Sequence, residues 1–326
     1  MKSFLIPLMA SVAIAAAASG ATAAPDVVVS IKPVHSLVAA IMKGVGEPQL
    51  IVDGAASPHT YNLRPSNARK LENADVVFWI GPGLEAFLEK PLEALASKAT
   101  VVELEDAKGL EKLPFRVGGP FEAHDDGDEA HNAHDAHAEA GGAHDHGDGH
   151  EDHDHGAYDT HLWLDPANAK AMAQEIETAL IAADAGNAAT YQANTKKLID
   201  DLDALDAELK ETIQPMKDKP FIVFHDAYQY FEHRYGVKTV GSITVSPETL
   251  PGADRVKQMQ EKVRQLGATC VFAEPQFEPK LISVITEGTA AKSGTLDPEA
   301  ATLEPGPDLY FKLMRGIAAS LKACLS

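Results

Sequence analysis

Leu198-Ile199-Asp200-Asp201-Leu202-Asp203-Ala204-Leu205-Asp206-Ala207-Glu208-Leu209 is the stretch on which the fold turns. Its leucines at 198, 202, 205 and 209 recur every three or four positions, the spacing of one face of an α-helix. The same character, rich in Ala, Leu, Glu, Asp and Lys and without a strand signal, runs over residues 166–213 with one break near Gly186-Asn187. This predicts a long helical spine. On both sides the pattern changes. Before it, short β-branched runs at 27–31, 49–52, 75–80 and 100–104 alternate with helical spacing at 33–43, 65–73 and 83–96. After it, strand-like 221–224, 237–243 and 269–273 alternate with helix-like 227–235, 253–266 and 279–290, and a last helix is expected over 308–325. Such alternation implies parallel sheets covered on both faces.

The fold class is therefore α/β: two similar lobes with parallel sheets flanked by helices, joined by a long rigid helix, with a cleft between them. The expected division is a leader over 1–24, an N-terminal lobe over 25–165, a helical linker over 166–213 and a C-terminal lobe over 214–326. The halves echo each other. Arg69-Lys70-Leu71-Glu72-Asn73-Ala74-Asp75-Val76-Val77-Phe78 resembles Arg264-Gln265-Leu266-Gly267-Ala268-Thr269-Cys270-Val271-Phe272, with one residue fewer. Each reads as the end of a helix running into a strand.

The first residues indicate a compartment. One basic residue, Lys2, precedes an apolar run over 4–18 and the small residues Ser19-Gly20-Ala21-Thr22-Ala23-Ala24. This is the pattern of a secretory signal peptide cleaved after Ala23 or Ala24. A membrane anchor is the alternative, but the run is short and broken by Pro7. The mature protein is expected to be exported, periplasmic and soluble. In such a compartment two lone cysteines, Cys270 and Cys324, pair more often than they stay free, with buried thiols or metal ligands as the alternatives.

The formal charge of −20 over 326 residues is unevenly placed. No Lys or Arg occurs between Arg116 and Lys170, and that stretch holds fourteen acidic residues, leaving −6 for the rest. A chain without a basic stripe is a poor nucleic-acid binder, so no nucleic-acid partner is expected. Twelve of those acids lie in an insert over 122–156 together with His124, His131, His134, His137, His144, His146, His150, His153 and His155. This composition lacks the apolar surface to offset ordering entropy, so disorder is expected in the absence of metal. Its imidazoles suit zinc, copper or nickel, and the tract is expected to be an auxiliary metal loop that binds several ions weakly.

Five histidines remain elsewhere: His35, His59, His161, His225 and His233. His225 ends a strand-like run, where open α/β sheets bind ligands. His59 lies in a turn-rich loop, and His161 opens His161-Leu162-Trp163-Leu164-Asp165-Pro166. His233 reads as a helix-surface residue and His35 as a residue near the first helix start. Spacing alone does not bring any of them together.

Four segments carry a resemblance: Gly54-Ala55-Ala56-Ser57-Pro58-His59-Thr60-Tyr61-Asn62-Leu63-Arg64-Pro65-Ser66, His161-Leu162-Trp163-Leu164-Asp165-Pro166, Phe224-His225-Asp226-Ala227-Tyr228 and Cys270-Val271-Phe272-Ala273-Glu274-Pro275-Gln276-Phe277. Together they resemble the signature segments of the ZnuA family, within the metal-binding substrate-binding proteins of ABC transporters. The likeness covers nearly all the mature chain and extends to a His/Asp-rich insert. It implies a non-enzymatic carrier, expected to act as a monomer, that captures Zn²⁺ and passes it to an ABC-transporter membrane permease. It implies that His59, His161 and His225 bind the ion in the cleft, that Asp297 matches the carboxylate completing the site in manganese-binding relatives, and that Cys270 and Cys324 match the family's disulfide. Pro58 stands where some members have a glutamate ligand; Glu274 could be a ligand by chemistry alone, but in this motif it reads as structural or as supporting a ligand from behind. Three imidazoles and one open or carboxylate position suit zinc's tetrahedral preference. The rival readings are the same fold carrying Mn²⁺ or Fe²⁺ with Asp297 as a full ligand, and a secreted zinc metallohydrolase. No His-Glu-x-x-His helix is present to support the latter.

Overall fold

The structure, a computed structural model, describes residues 24–116, 121, 158–244, 251–267, 269–277 and 280–326. The expected leader up to residue 23 and the nine insert histidines lie outside the described residues.

Strands β1 (Val27–Val29), β2 (Gln49–Leu50), β3 (Val76–Trp79) and β4 (Thr100–Glu103) form a parallel sheet in the order β2-β1-β3-β4. Helices α1 (Lys32–Ile41), α2 (Pro65–Asn73) and α3 (Glu89–Leu95) connect them. β1 and β3 are buried throughout, as their uninterrupted apolar runs require of central strands in a parallel sheet. The spine follows as α4 (Pro166–Ala183) and α5 (Ala188–Ile213), separated by a 3₁₀ turn at Ala185–Asn187. It is thus two helices packed on each other rather than a single rod. Asp165 caps α4 by accepting the Ala167 N–H at 2.7 Å, and Pro166 occupies the first turn, where a missing N–H costs nothing. The leucine stripe of α5 is buried.

The C-terminal lobe repeats the first. Strands β5 (Phe221–Val223), β6 (Thr239–Ser242), β7 (Cys270–Ala273) and β8 (Lys292–Thr295) are parallel in the order β6-β5-β7-β8, with helices α6 (Gln229–Tyr235), α7 (Ala253–Leu266), α8 (Lys280–Thr286) and α9 (Leu309–Leu325). The echoed segments occupy equivalent places. One is the α2-to-β3 junction and the other the α7-to-β7 junction, and β3 and β7 each lie beside the first strand of their sheet.

Three elements differ from the sequence expectation. Residues 83–88 form turns ahead of α3, because Glu85 folds back to accept the N–H groups of Ile80 and Gly81, each at 3.0 Å. Helix α8 stops short of 290, where the Thr289 hydroxyl donates to the Thr286 carbonyl at 2.7 Å and Gly288 takes a left-handed φ of 66°. Strand β8 was not anticipated. It is the polar segment Lys292-Ser293-Gly294-Thr295 at a sheet edge, where alternation of apolar residues is not needed. A β-carbon on Gly294 would lie 2.6 Å from the Phe272 ring, so glycine is what lets this strand approach β7.

One continuous core joins both lobes through α1, α4, α5 and α9, and a smaller cluster lies between the C-terminal sheet and α7 and α8. Buried polar bonds brace the joint. The Lys32 ammonium donates to the carbonyls of Ala300, Ala301 and Leu303 at 3.2, 3.0 and 2.9 Å. Trp163 Nε1 donates to Pro298 O at 2.9 Å, and the Tyr310 hydroxyl to Trp163 O at 2.7 Å. Cys270 and Cys324 form a disulfide that ties the start of β7 to the end of α9.

Candidate metal centre

Three loops at the carboxyl ends of the strands each deliver one histidine to the cleft. His59 sits in a 3₁₀ turn, Pro58–Thr60, beyond β2. That loop is fixed by Tyr61 and Asn67, which both donate to the Ile51 carbonyl, at 3.1 and 2.9 Å. His161 caps the 3₁₀ turn Leu162–Leu164 that leads into α4. His225 follows directly on the β5 run. His161 and His225 are 5% and 4% exposed, whereas His59 is half-buried.

Each buried imidazole is oriented by a carboxylate. His161 Nδ1 lies 2.7 Å from Asp159 Oδ1, whose same oxygen also accepts the His161 backbone N–H at 3.0 Å. His225 Nδ1 lies 2.7 Å from Glu274 Oε1. A carboxylate accepts only from a protonated nitrogen, so both Nδ1 atoms carry hydrogen and both neutral rings turn an Nε2 lone pair inward. There His161 Nε2 is 3.3 Å from His59 Nε2 and 3.3 Å from His225 Nε2. The edge of a tetrahedron with zinc–nitrogen bonds of about 2.0–2.1 Å is roughly 3.3–3.4 Å. Between His161 and His225, two neutral rings at that distance face lone pair to lone pair, an arrangement relieved by a cation, either a metal ion or a proton. The two buried carboxylates behind the rings supply two negative charges, which a divalent ion would balance.

The same charges act on protons. Burial, the largest single effect, pushes the His225 pKa down, but the charge and hydrogen bond of Glu274 together with the charges of Asp226 and Asp159 outweigh it, and the net shift is upward. A proton and a metal ion therefore compete for one Nε2.

Among the described residues, His59, His161 and His225 are the one group of three or more His, Cys, Asp or Glu placed to share an ion, their ligand atoms all within 4.8 Å. Asp297 is engaged in its own loop: its carboxylate accepts from Ala301 N at 3.0 Å, Thr302 N at 3.4 Å and Gln276 Nε2 at 3.3 Å. His35 is buried against the Pro48 carbonyl at 3.0 Å, and His233 pairs with Glu111 at 3.0 Å on the surface. Sequence reasoning missed Asp159, which it counted only as one acid among fourteen. The available signal was its place two residues before His161, a spacing that puts both side chains on one side of an extended chain.

A family model described as zinc-uptake complex component A, periplasmic (ZnuA), matches residues 27–324. The chain belongs to the ZnuA family. Among ZnuA relatives, the high-affinity zinc uptake system protein ZnuA of Brucella suis biovar 1 (strain 1330) is 56% identical over 305 residues, covering 92% of this chain and 91% of its own. The ZnuA of Yersinia pestis is 36% identical over 305 residues, covering 93% and 92%. A crystal structure of ZnuA superposes with a TM-score of 0.73 at 25% identity, covering 93% of this chain and all of that one. The periplasmic zinc-binding protein TroA of Treponema pallidum shares the fold, with a TM-score of 0.75 at 17% identity over 93% of this chain and 99% of its own. No helix among the described residues is long and apolar enough to cross a membrane.

Proposed function

We propose that this chain is the periplasmic zinc-capturing component of an ABC uptake system, which holds Zn²⁺ between His59, His161 and His225 and yields it to a membrane permease. One observation carries the reading. Three imidazoles converge with their ligand atoms within 4.8 Å of one another, and the His161 and His225 Nδ1 hydrogens are committed to carboxylates, so their Nε2 atoms, 3.3 Å apart, are left to face a cation. Three imidazole donors favour zinc over manganese, which prefers oxygen ligands. In this reading the fourth corner falls to water, since the Asp297 oxygens are occupied by backbone N–H groups of their own loop. The residues up to 24 act as the export leader. The family resemblance and the ZnuA names of the relatives support the permease as partner. The insert, over 122–156, serves as an auxiliary loop that gathers ions.

Competition titration of the metal-free protein against a chromogenic zinc chelator tests the site. His59→Ala, His161→Ala and His225→Ala should each weaken tight binding at least a hundredfold, while His233→Ala and Asp297→Ala stay within about fivefold of the parent. Tight binding that survives two of the histidine variants, or is lost with His233→Ala, overturns the assignment.

A further inference from the structure

Residues 112–116 and 158–159 lie side by side and reach from the N-terminal lobe onto α6 of the C-terminal lobe. Pro114 and Tyr158 form an antiparallel bridge, and Asp159 N donates to Leu113 O at 2.9 Å. The Tyr230 hydroxyl accepts from Leu113 N at 3.1 Å and donates to the Asp159 carbonyl at 2.6 Å, while Gln229 Nε2 donates to Pro114 O at 2.9 Å. Arg116 closes this clasp. Its Nε donates to Asp226 Oδ2 at 3.0 Å and its Nη2 to Asp226 Oδ1. Its Nη1 and Nη2 each donate to Glu232 at 2.9 Å. One guanidinium thus holds two carboxylates bidentately, and those side chains are only 9% and 7% exposed. Asp226 is the residue after His225, and Asp159 orients His161.

We propose that Arg116 is a positioning residue for the metal centre, one that fixes the turn carrying His225 against the loop carrying His161 and so sets how long a bound dication is retained. The inference rests on the three-histidine reading above. The metal would join His161 of one lobe to His225 of the other, and the ion leaves only when one of these Nε2 atoms withdraws. Arg116 grips the C-terminal side of that gap one residue from His225, from a segment hydrogen-bonded to Asp159 on the other side. Without the guanidinium two buried carboxylates lose their cation and turn toward water, carrying the 225–226 turn with them. Loss of preorganisation of this kind is expressed mainly in the rate of dissociation.

The test uses the full mature chain with Zn²⁺ alone as probe. Dissociation is followed by stopped flow into excess chelator, and coordination by the visible absorption of bound Co²⁺. Arg116→Met should release zinc at least tenfold faster, with association changed less than threefold and the Co²⁺ bands altered in shape. Arg116→Lys should recover only part, because an ammonium cannot fork onto two carboxylates. Should Arg116→Met not fold, Tyr230→Phe, which cuts only the hydroxyl link between Leu113 and Asp159, is held to the same direction. Unchanged or slower release with an unaltered Co²⁺ spectrum, even with a lowered melting temperature, overturns the proposal and leaves Arg116 a structural residue. His225→Ala separates the two readings. If it keeps tight zinc, the three-histidine site is wrong; if it loses zinc while Arg116→Met behaves as the parent, only the role of Arg116 fails.

Discussion

Glu274→Gln removes one negative charge from behind His225 while keeping an oxygen that can accept from Nδ1. Glu274 lies 2.7 Å from that nitrogen, and its side chain is 1% exposed, so water does not screen the pair. Replacement of such a carboxylate behind a ligating histidine lowers metal affinity by about 10–100-fold, or roughly 1.4–2.7 kcal/mol. The effect should also depend on pH in a definite direction. In the parent, burial is outweighed by Glu274 acting with the charges of Asp226 and Asp159, and the His225 pKa is raised, so protons begin to displace the metal before the ordinary imidazole range is reached on acidification. In the variant the largest upward influence is gone, the imidazole gives up its proton more readily, and proton competition is deferred to lower pH. The affinity gap should therefore be widest near pH 8 and narrow as the pH falls toward 6. Chelator-competition titrations at several pH values measure both quantities. Affinity within twofold of the parent at pH 8, or a gap that widens on acidification, would refute the orienting role of Glu274.

Deleting residues 122–156 should leave one tight zinc site and abolish the weak ones, as isothermal titration calorimetry would show by a fall in stoichiometry; loss of the tight site would mean that it had been misplaced. Cys270→Ala/Cys324→Ala removes a cross-link between positions 54 apart and should cost roughly 4 kcal/mol by the chain-entropy relation, readable as a lower denaturant midpoint. Glu85 is fully buried, and its desolvation outweighs its hydrogen bonds to raise its pKa from 4.5 to about 7. Because the folded state then holds the proton more tightly than the unfolded chain, this group's contribution to stability falls as pH rises from about 4.5 to about 7, by about 3 kcal/mol. Glu85→Gln should flatten the melting temperature over that interval, and an unchanged pH profile would contradict it.

The fold was legible wherever burial is one-sided and repetitive. The leucine stripe of α5 and the apolar runs of β1 and β3 announce themselves because each must face a core. Strand β8 did not, since an edge strand of Lys, Ser, Gly and Thr is held by backbone pairing with β7 and by the space that Gly294 leaves to Phe272, neither of which has a period. The early turn before α3 was hidden for a related reason: one carboxylate, Glu85, takes up the backbone donors that a helix start would have left free. At the site, the strand-end position of His225 was informative, but the convergence of His59, His161 and His225 is a property of topology over 166 residues and needed either coordinates or family resemblance. Of the carboxylates behind the rings, Glu274 stood out within its motif as a supporting residue, whereas Asp159 did not, because it sits beside a dense acidic tract in which no single residue stands out.

The ammonium of Lys32, sunk among three carbonyls from residues 300–303, has a consequence for how cargo is discriminated. A receptor that folds shut around its ligand gauges size, since the wrong guest stops the jaws from meeting. Here the back of the molecule is pinned by a cation that satisfies all three of its donors across the joint, and large swings of one half against the other would strand that charge in the interior. The stiffer that joint, the more the choice among dications of similar radius falls to the strength and angles of the bonds that the imidazoles offer.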